Sequence, residues 1–121
     1  MPITLNHTIV PAVDNEAAAR FFAGIMGLDY RGADRHFAPV RVNESLTLDF
    51  MSVEDPPGHH LAFDVDTATF DGVLARLRAA GVPYGNDPRE PDNGRIDHPL
   101  CARGLYFADD ARNLYEVMSP E

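Results

Sequence analysis

The sequence predicts an α+β fold in which one strand–helix–strands unit occurs twice. Three features carry that prediction: two well-capped helices, six short strand-like segments divided by turn chemistry, and a faint internal echo between the halves. At 121 residues the chain suits a single domain, with module one spanning about 1–54 and module two about 55–121.

Each element has a local reason. "LNHTIV" opens the chain as a strand. "DNEAAARFFAGIMG" follows as a helix: Asp14 is an N-cap, Glu16 suits the positive helix start, Phe21, Phe22 and Ile25 share a face, and Gly27 ends it. "FAPVRV" and "SLTLDFM" read as strands joined by the turn "VNES", and "EDPPG" closes the first half. "HHLAFDV" begins the second half. The helix "TATFDGVLARLRAAG" comes next, with Thr67 or Thr69 as its cap, Phe70, Val73, Leu74 and Leu77 as its apolar stripe, and Gly81 as its stop. Residues 85–104 form a Pro/Gly/Asp-rich connection, long enough that a functional role or tertiary ordering is expected. "GLYFA" and "NLYEVMS" close the chain around the turn "DDARN".

The halves echo one another. His7 and His60, in the first strand of each half, are 53 residues apart (60 − 7), and the helix-ending Gly27 and Gly81 are 54 apart (81 − 27). The last strand of each half carries one acid, Asp49 and Glu116. Duplication therefore offers two histidines and two carboxylates to one site, a donor set for a divalent metal (Fe, Mn, Ni, Co or Zn) with positions left for water or substrate. Strand alternation sharpens the choice. In "HHLAFDV", His60 points away from Leu61, Phe63 and Val65, whereas His59 shares their parity; in "LTLDFM", Asp49 points away from Leu48 and Phe50. Parity leaves His7 and Glu116 open. His98 and Arg103 flank the long loop and Tyr106 starts the strand after it, so these three are the candidate substrate contacts.

Composition narrows the function classes. Nineteen acidic against ten basic residues give a net charge of −9, which opposes binding to nucleic acid or anionic membranes. The single cysteine, Cys101, makes no internal disulfide, and no secretion signal or membrane-spanning run is evident, so a cytoplasmic protein is expected.

With "LNHTIV", "FFAGIMGLDY", "HHLAF", "AAGV" and "YFADDARNLYEV" in this order, the chain resembles the vicinal oxygen chelate superfamily, the glyoxalase, bleomycin-resistance and extradiol-dioxygenase group. The resemblance implies two βαβββ modules, metal ligands at His7, His60 and Glu116 with a variable fourth position near Asp49, and a homodimer acting on a small molecule. It also implies Glu116 or Asp49 as the catalytic base. Glyoxalase-like lyase or isomerase chemistry is the favoured expectation, an Fe(II)-dependent ring-cleaving dioxygenase the next, and a metal-free drug-binding protein the rival. The chain departs from the family at its last turn, where Asp109-Asp110-Ala111-Arg112-Asn113 lacks the usual proline and glycine and leaves Asn113 to accept a positive φ.

Overall fold

A computed structural model describes residues 2–121. Its elements run β1 (His7–Ala12), α1 (Asn15–Met26), β2 (Phe37–Arg41), β3 (Thr47–Ser52), β4 (His60–Asp64), α2 (Thr67–Ala80), β5 (Arg103–Ala108) and β6 (Leu114–Ser119). They make two three-stranded mixed sheets: sheet A in the order β1-β3-β2 and sheet B in the order β4-β6-β5. In each, the first strand of the module runs parallel to the last, and the middle strand pairs with the last antiparallel. This is the two-module α+β fold. The remaining strand of each βαβββ unit is reduced to a single bridge, Tyr30↔Val40 in module one and Gly85↔Tyr106 in module two. The segments that hold these bridges are rich in Asp, Gly and Pro, which pair poorly in sheets.

The two registers are the same. His7 lies opposite Thr47 and His60 opposite Leu114, each the first residue of both strands concerned. The residue before each histidine makes the equivalent backbone bond, Thr47 N–H to Asn6 O at 2.9 Å and Leu114 N–H to His59 O at 2.7 Å. Two positions further on, Asp49 faces Ile9 and Glu116 faces Ala62. The echo in the sequence is thus an equivalence in space.

Helix α1 joins the modules into one core. Its fully buried Phe22 ring lies 5.8 Å from Phe50 of sheet A, and 5.7 and 5.0 Å from Phe63 and Tyr115 of sheet B. Phe21 meets Phe107 edge-on at 5.9 Å. The stripe Phe70, Val73, Leu74 and Leu77 of α2 is buried as its spacing predicts. Asp14 caps α1 through Ala17 N–H, and Gly27 and Gly81 end the two helices in the left-handed conformation. The cap of α2 is a correction: Asp66, not Thr67 or Thr69, accepts the N–H of Thr69 at 2.8 Å. A carboxylate outcompetes a hydroxyl at the positive end of a helix. Strand β1 also begins later than its apolar pattern suggests and continues through Pro11, which an edge strand tolerates.

Asn113 is a second joint. It is fully buried; its Oδ1 accepts from His59 N–H at 2.9 Å, and its amide donates to Pro11 O at 2.8 Å and to Asp109 Oδ2 at 3.0 Å. One side chain therefore ties the end of β1 to the start of β4. The positive φ of this turn falls on Arg112 (65°) and leaves Asn113 for the joint. Replacing Asn113 by Ala strands the His59 donor and the Pro11 acceptor, and equilibrium urea unfolding is expected to show a loss of about 1–3 kcal/mol.

Candidate functional site

Glu116 is the centre of the candidate site. It lies mid-strand on β6, with a side chain only 8% exposed, on the face of sheet B opposite the helices. Register places Ala62 of β4 and Tyr106 of β5 on either side of it, with His60 one pleat away. Oε1 lies 2.9 Å from Nε2 of His60 and Oε2 lies 2.7 Å from Nε2 of His98. Burial alone would raise the pKa of this carboxyl, but hydrogen bonds from His98, His60 and Tyr106 outweigh it and hold the pKa below the usual range. An ionised carboxylate beside a half-exposed imidazole results. Tyr106 is affected in the opposite sense: burial and the neighbouring Glu116 push its phenol up to about 12, so it stays a neutral donor.

His60 points away from the core, as strand alternation predicts. Its side chain is 50% exposed, while Leu61, Phe63 and Val65 pack against the core from the other face. His7 and Asp49 lie on the corresponding face of sheet A, since Val10 and Ala12 of β1 and Leu48 and Phe50 of β3 are the buried residues. Structure thereby resolves the two strands that parity left open. The His7 ring is exposed and bonds Asn6 Oδ1 through Nδ1 at 2.8 Å. Within one chain His60 and Glu116 come together, and His7 and Asp49 stay on the other module; among the described residues no three His, Cys, Asp or Glu side chains form a metal-holding group.

The three substrate-contact candidates separate. Tyr106 faces the site. Arg103 does not: it shares a face with Leu105 and Phe107, its guanidinium lies 4.4 Å over the buried Phe70 ring, and it pairs with Asp71 at 2.7 Å on α2. The alternation in "RGLYFA" carries that information, because Arg103 and Tyr106 have opposite parity. His98 is neither a surface residue nor a solvent-facing contact, since its side chain is 1% exposed. Its ring stacks beside Tyr106 at 6.1 Å and 25°, and it lies so close to Gly104 that a Cβ there would be 2.5 Å from Cδ2. The 85–104 loop that delivers it is pinned by Gly94 N–H to Tyr84 O, Gly104 N–H to Ile96 O, and the Asn86 amide to Asp97 O, each at 2.8 Å.

A cleft of about 620 Å³ opens on module one, between the 27–32 turn and the same face of sheet A, lined by Asp29, Arg31, Pro39, Arg41 and Thr47. This cleft and the histidine–carboxylate pair belong to different modules.

These features define a duplicated sheet scaffold with one histidine and one acid at matching positions of each half. The chain belongs to the glyoxalase/bleomycin resistance protein/dioxygenase superfamily, whose model matches residues 4–117. Among solved structures it is similar to oxidase ChaP-H2 (37% identity, 98% of this chain and 94% of that one, TM-score 0.90). It is also similar to oxidase ChaP-H1 (35% identity, 98% and 96% covered, TM-score 0.88). A more distant likeness is the fosfomycin resistance protein FosX of Listeria monocytogenes complexed with Mn(II) and sulfate (18% identity, 100% and 93% covered, TM-score 0.71), which shares the fold. No curated protein matches the chain. No helix among the described residues is long and apolar enough to cross a membrane.

Two substitutions separate site from scaffold. Gly104→Ala drives a methyl into the His98 ring and is expected to cost about 1–3 kcal/mol, read by urea unfolding. Arg103→Ala removes only packing and pairing on α2; thermal unfolding shifts downward while the His60 and His98 ring resonances stay at their wild-type positions.

Proposed function

We propose that this chain is a metal-dependent oxidative enzyme of its superfamily, acting on a small molecule that presents two neighbouring oxygen atoms, with dioxygen as co-substrate. The observation that carries the reading is the His60–Glu116 pair: an ionised carboxylate and an accessible imidazole 2.9 Å apart, chemically a fit for Fe, Mn, Co, Ni or Zn. The likeness to oxidases ChaP-H2 and ChaP-H1, at 37 and 35% identity, supports oxidation over the lyase chemistry that the acid at position 49 favours.

One chain supplies half of such a site. The reading therefore includes a homodimer in which His60 and Glu116 of one protomer meet the partner's His7 across the interface. Its support is the exposed histidine on module one, the cleft beside it, and the apolar surface around β1. Ile3, Leu5, Ile9 and Val13 are 98, 63, 43 and 56% exposed, an arrangement that a second copy would cover. A bound divalent ion supplies a Lewis acid at the atoms where negative charge develops. The chain's own part is to hold that charge balance. Glu116 contributes a fixed anion, the Tyr106 phenol donates a hydrogen bond from beside it, and the module-one cleft, with Arg31 and Arg41, receives the substrate body.

A second reading rests on Asp49, which occupies in sheet A the position of Glu116 in sheet B. With Asp49 as a fourth ligand and base, glyoxalase-like lyase or isomerase chemistry follows.

Metal analysis of purified protein tests the proposal. Wild type is expected to carry one divalent ion per chain, and His60→Ala to lose it, with affinity reduced by more than the roughly 10–100-fold that outer-shell substitutions cost. Asp49→Ala retains the metal on the oxidative reading and loses it on the lyase reading. Mixing His7→Ala with His60→Ala chains restores roughly a quarter of the wild-type metal content if the site is shared between protomers, since half of the dimers are mixed and one of their two sites is intact. No restoration means that the sites lie within one chain. A metal-free wild type that still binds a large aromatic ligand overturns the enzyme reading in favour of a binding protein.

A further inference from the structure

We infer that His98 is the positioning residue of Glu116: a neutral imidazole that donates from Nε2 to Oε2, leaves Oε1 turned toward His60, and stays outside the metal's coordination shell. The inference rests on the reading of Glu116 as a ligand and adds a residue that the duplicated pattern of two histidines and two acids does not contain.

The tautomer follows from hydrogen-bond logic. Leu100 N–H points at Nδ1 of His98 at 3.1 Å, and a backbone N–H can only donate, so Nδ1 is the bare, accepting nitrogen. In a neutral ring the proton then sits on Nε2, where it meets Oε2 of Glu116 at 2.7 Å, a short charge-assisted bond. A nitrogen that holds a proton against a carboxylate offers no lone pair to a metal. His60 meets the other oxygen through its own Nε2, but nothing fixes its tautomer: its Nδ1 has no hydrogen-bond partner among the described residues, and half of its side chain is open to solvent, so a metal can displace the Nε2 proton there.

Packing holds the ring in this role. At 1% exposure, against Tyr106 and the bare backbone of Gly104, His98 has little room to turn. The loop on either side is tied down by Gly104 N–H to Ile96 O and by Asn86 to Asp97. Module one has no such loop, and Asp49 is half-buried between Ile9 and Pro39. The two acids thus differ in how they are held: Glu116 is fixed, Asp49 is not. A ligand oriented by a donor on its remote oxygen is the usual form of outer-shell control in metal sites.

The test uses full-length protein and Zn(II) alone. Long-range ¹H–¹⁵N spectra of the histidines, recorded without and with Zn(II), are expected to show His98 as the Nε2–H tautomer in both states. Loss of that proton on Zn(II) addition, with a coordination shift at Nε2, makes His98 a ligand and overturns the inference. Calorimetric titration of variants gives the second readout. His98→Gln retains an N–H at the same reach and should bind Zn(II) within about threefold of wild type, while His98→Ala should lose roughly 10–100-fold. Equal loss in both variants overturns the positioning role, and the Gln variant keeps the test open if the Ala variant fails to fold. Wild-type protein that takes up no Zn(II), or Glu116→Gln that binds it as wild type does, overturns the metal-centre reading instead. The tautomer spectrum then still decides whether His98 holds Glu116.

Discussion

Parallel pairing between the first and last strands of each module is the constraint on which the site depends. Because His60 and Leu114 begin their strands opposite one another, Glu116 must lie two residues along on the same face. A slip of one residue would turn the carboxylate into the core among Phe63, Tyr115 and Val117. The burial of those residues is thus what fixes the face that carries His60 and Glu116, and the same register in sheet A puts His7 and Asp49 in matching places.

The site face is built at some cost that its neighbours offset. Glu116 is nearly buried, and an isolated charge there would be expelled or neutralised. Two imidazoles and a phenol replace the lost water, and the carboxyl pKa falls, not rises, as a consequence. Tyr115, one residue earlier on the core face, is handled by the same rule. Its hydroxyl donates to Asp109 Oδ2 at 2.9 Å, and burial together with that carboxylate pushes its pKa far up. Among the described residues no buried polar side-chain atom lacks a partner.

Much of this was legible in the sequence because much of it is local or periodic. Caps, glycine stops and strand alternation depend on a few adjacent residues, and they place α1, α2, His60 and Asp49 without tertiary information. Asp66 was legible too, one residue before the threonines read as caps. Arg103 was legible through parity, which assigns it to α2. His98 was not. It reaches Glu116 from an aperiodic loop, and its position depends on Gly104 presenting bare backbone and on Asn86, Asn93 and Asp97 folding the loop back on itself. Asn113 was visible as a turn residue, but its bonds to Pro11 and His59 span the chain and leave no local trace.

The long loop divides into two parts of unequal freedom. Its inner part, from Ile96 to Gly104, carries His98 to Glu116 and closes through Gly104 N–H on Ile96 O. Its outer part, around Pro88 to Asp92, is mostly exposed and closes through its own turns, with Arg89 N–H on Asp87 and the Asn93 amide on Asn86. Its nearest link to the site is the close approach of Glu90 to Gly85, which pairs with Tyr106. One stretch of the loop is thus tied to the carboxylate by a single ring, while the other is held chiefly by its own turns.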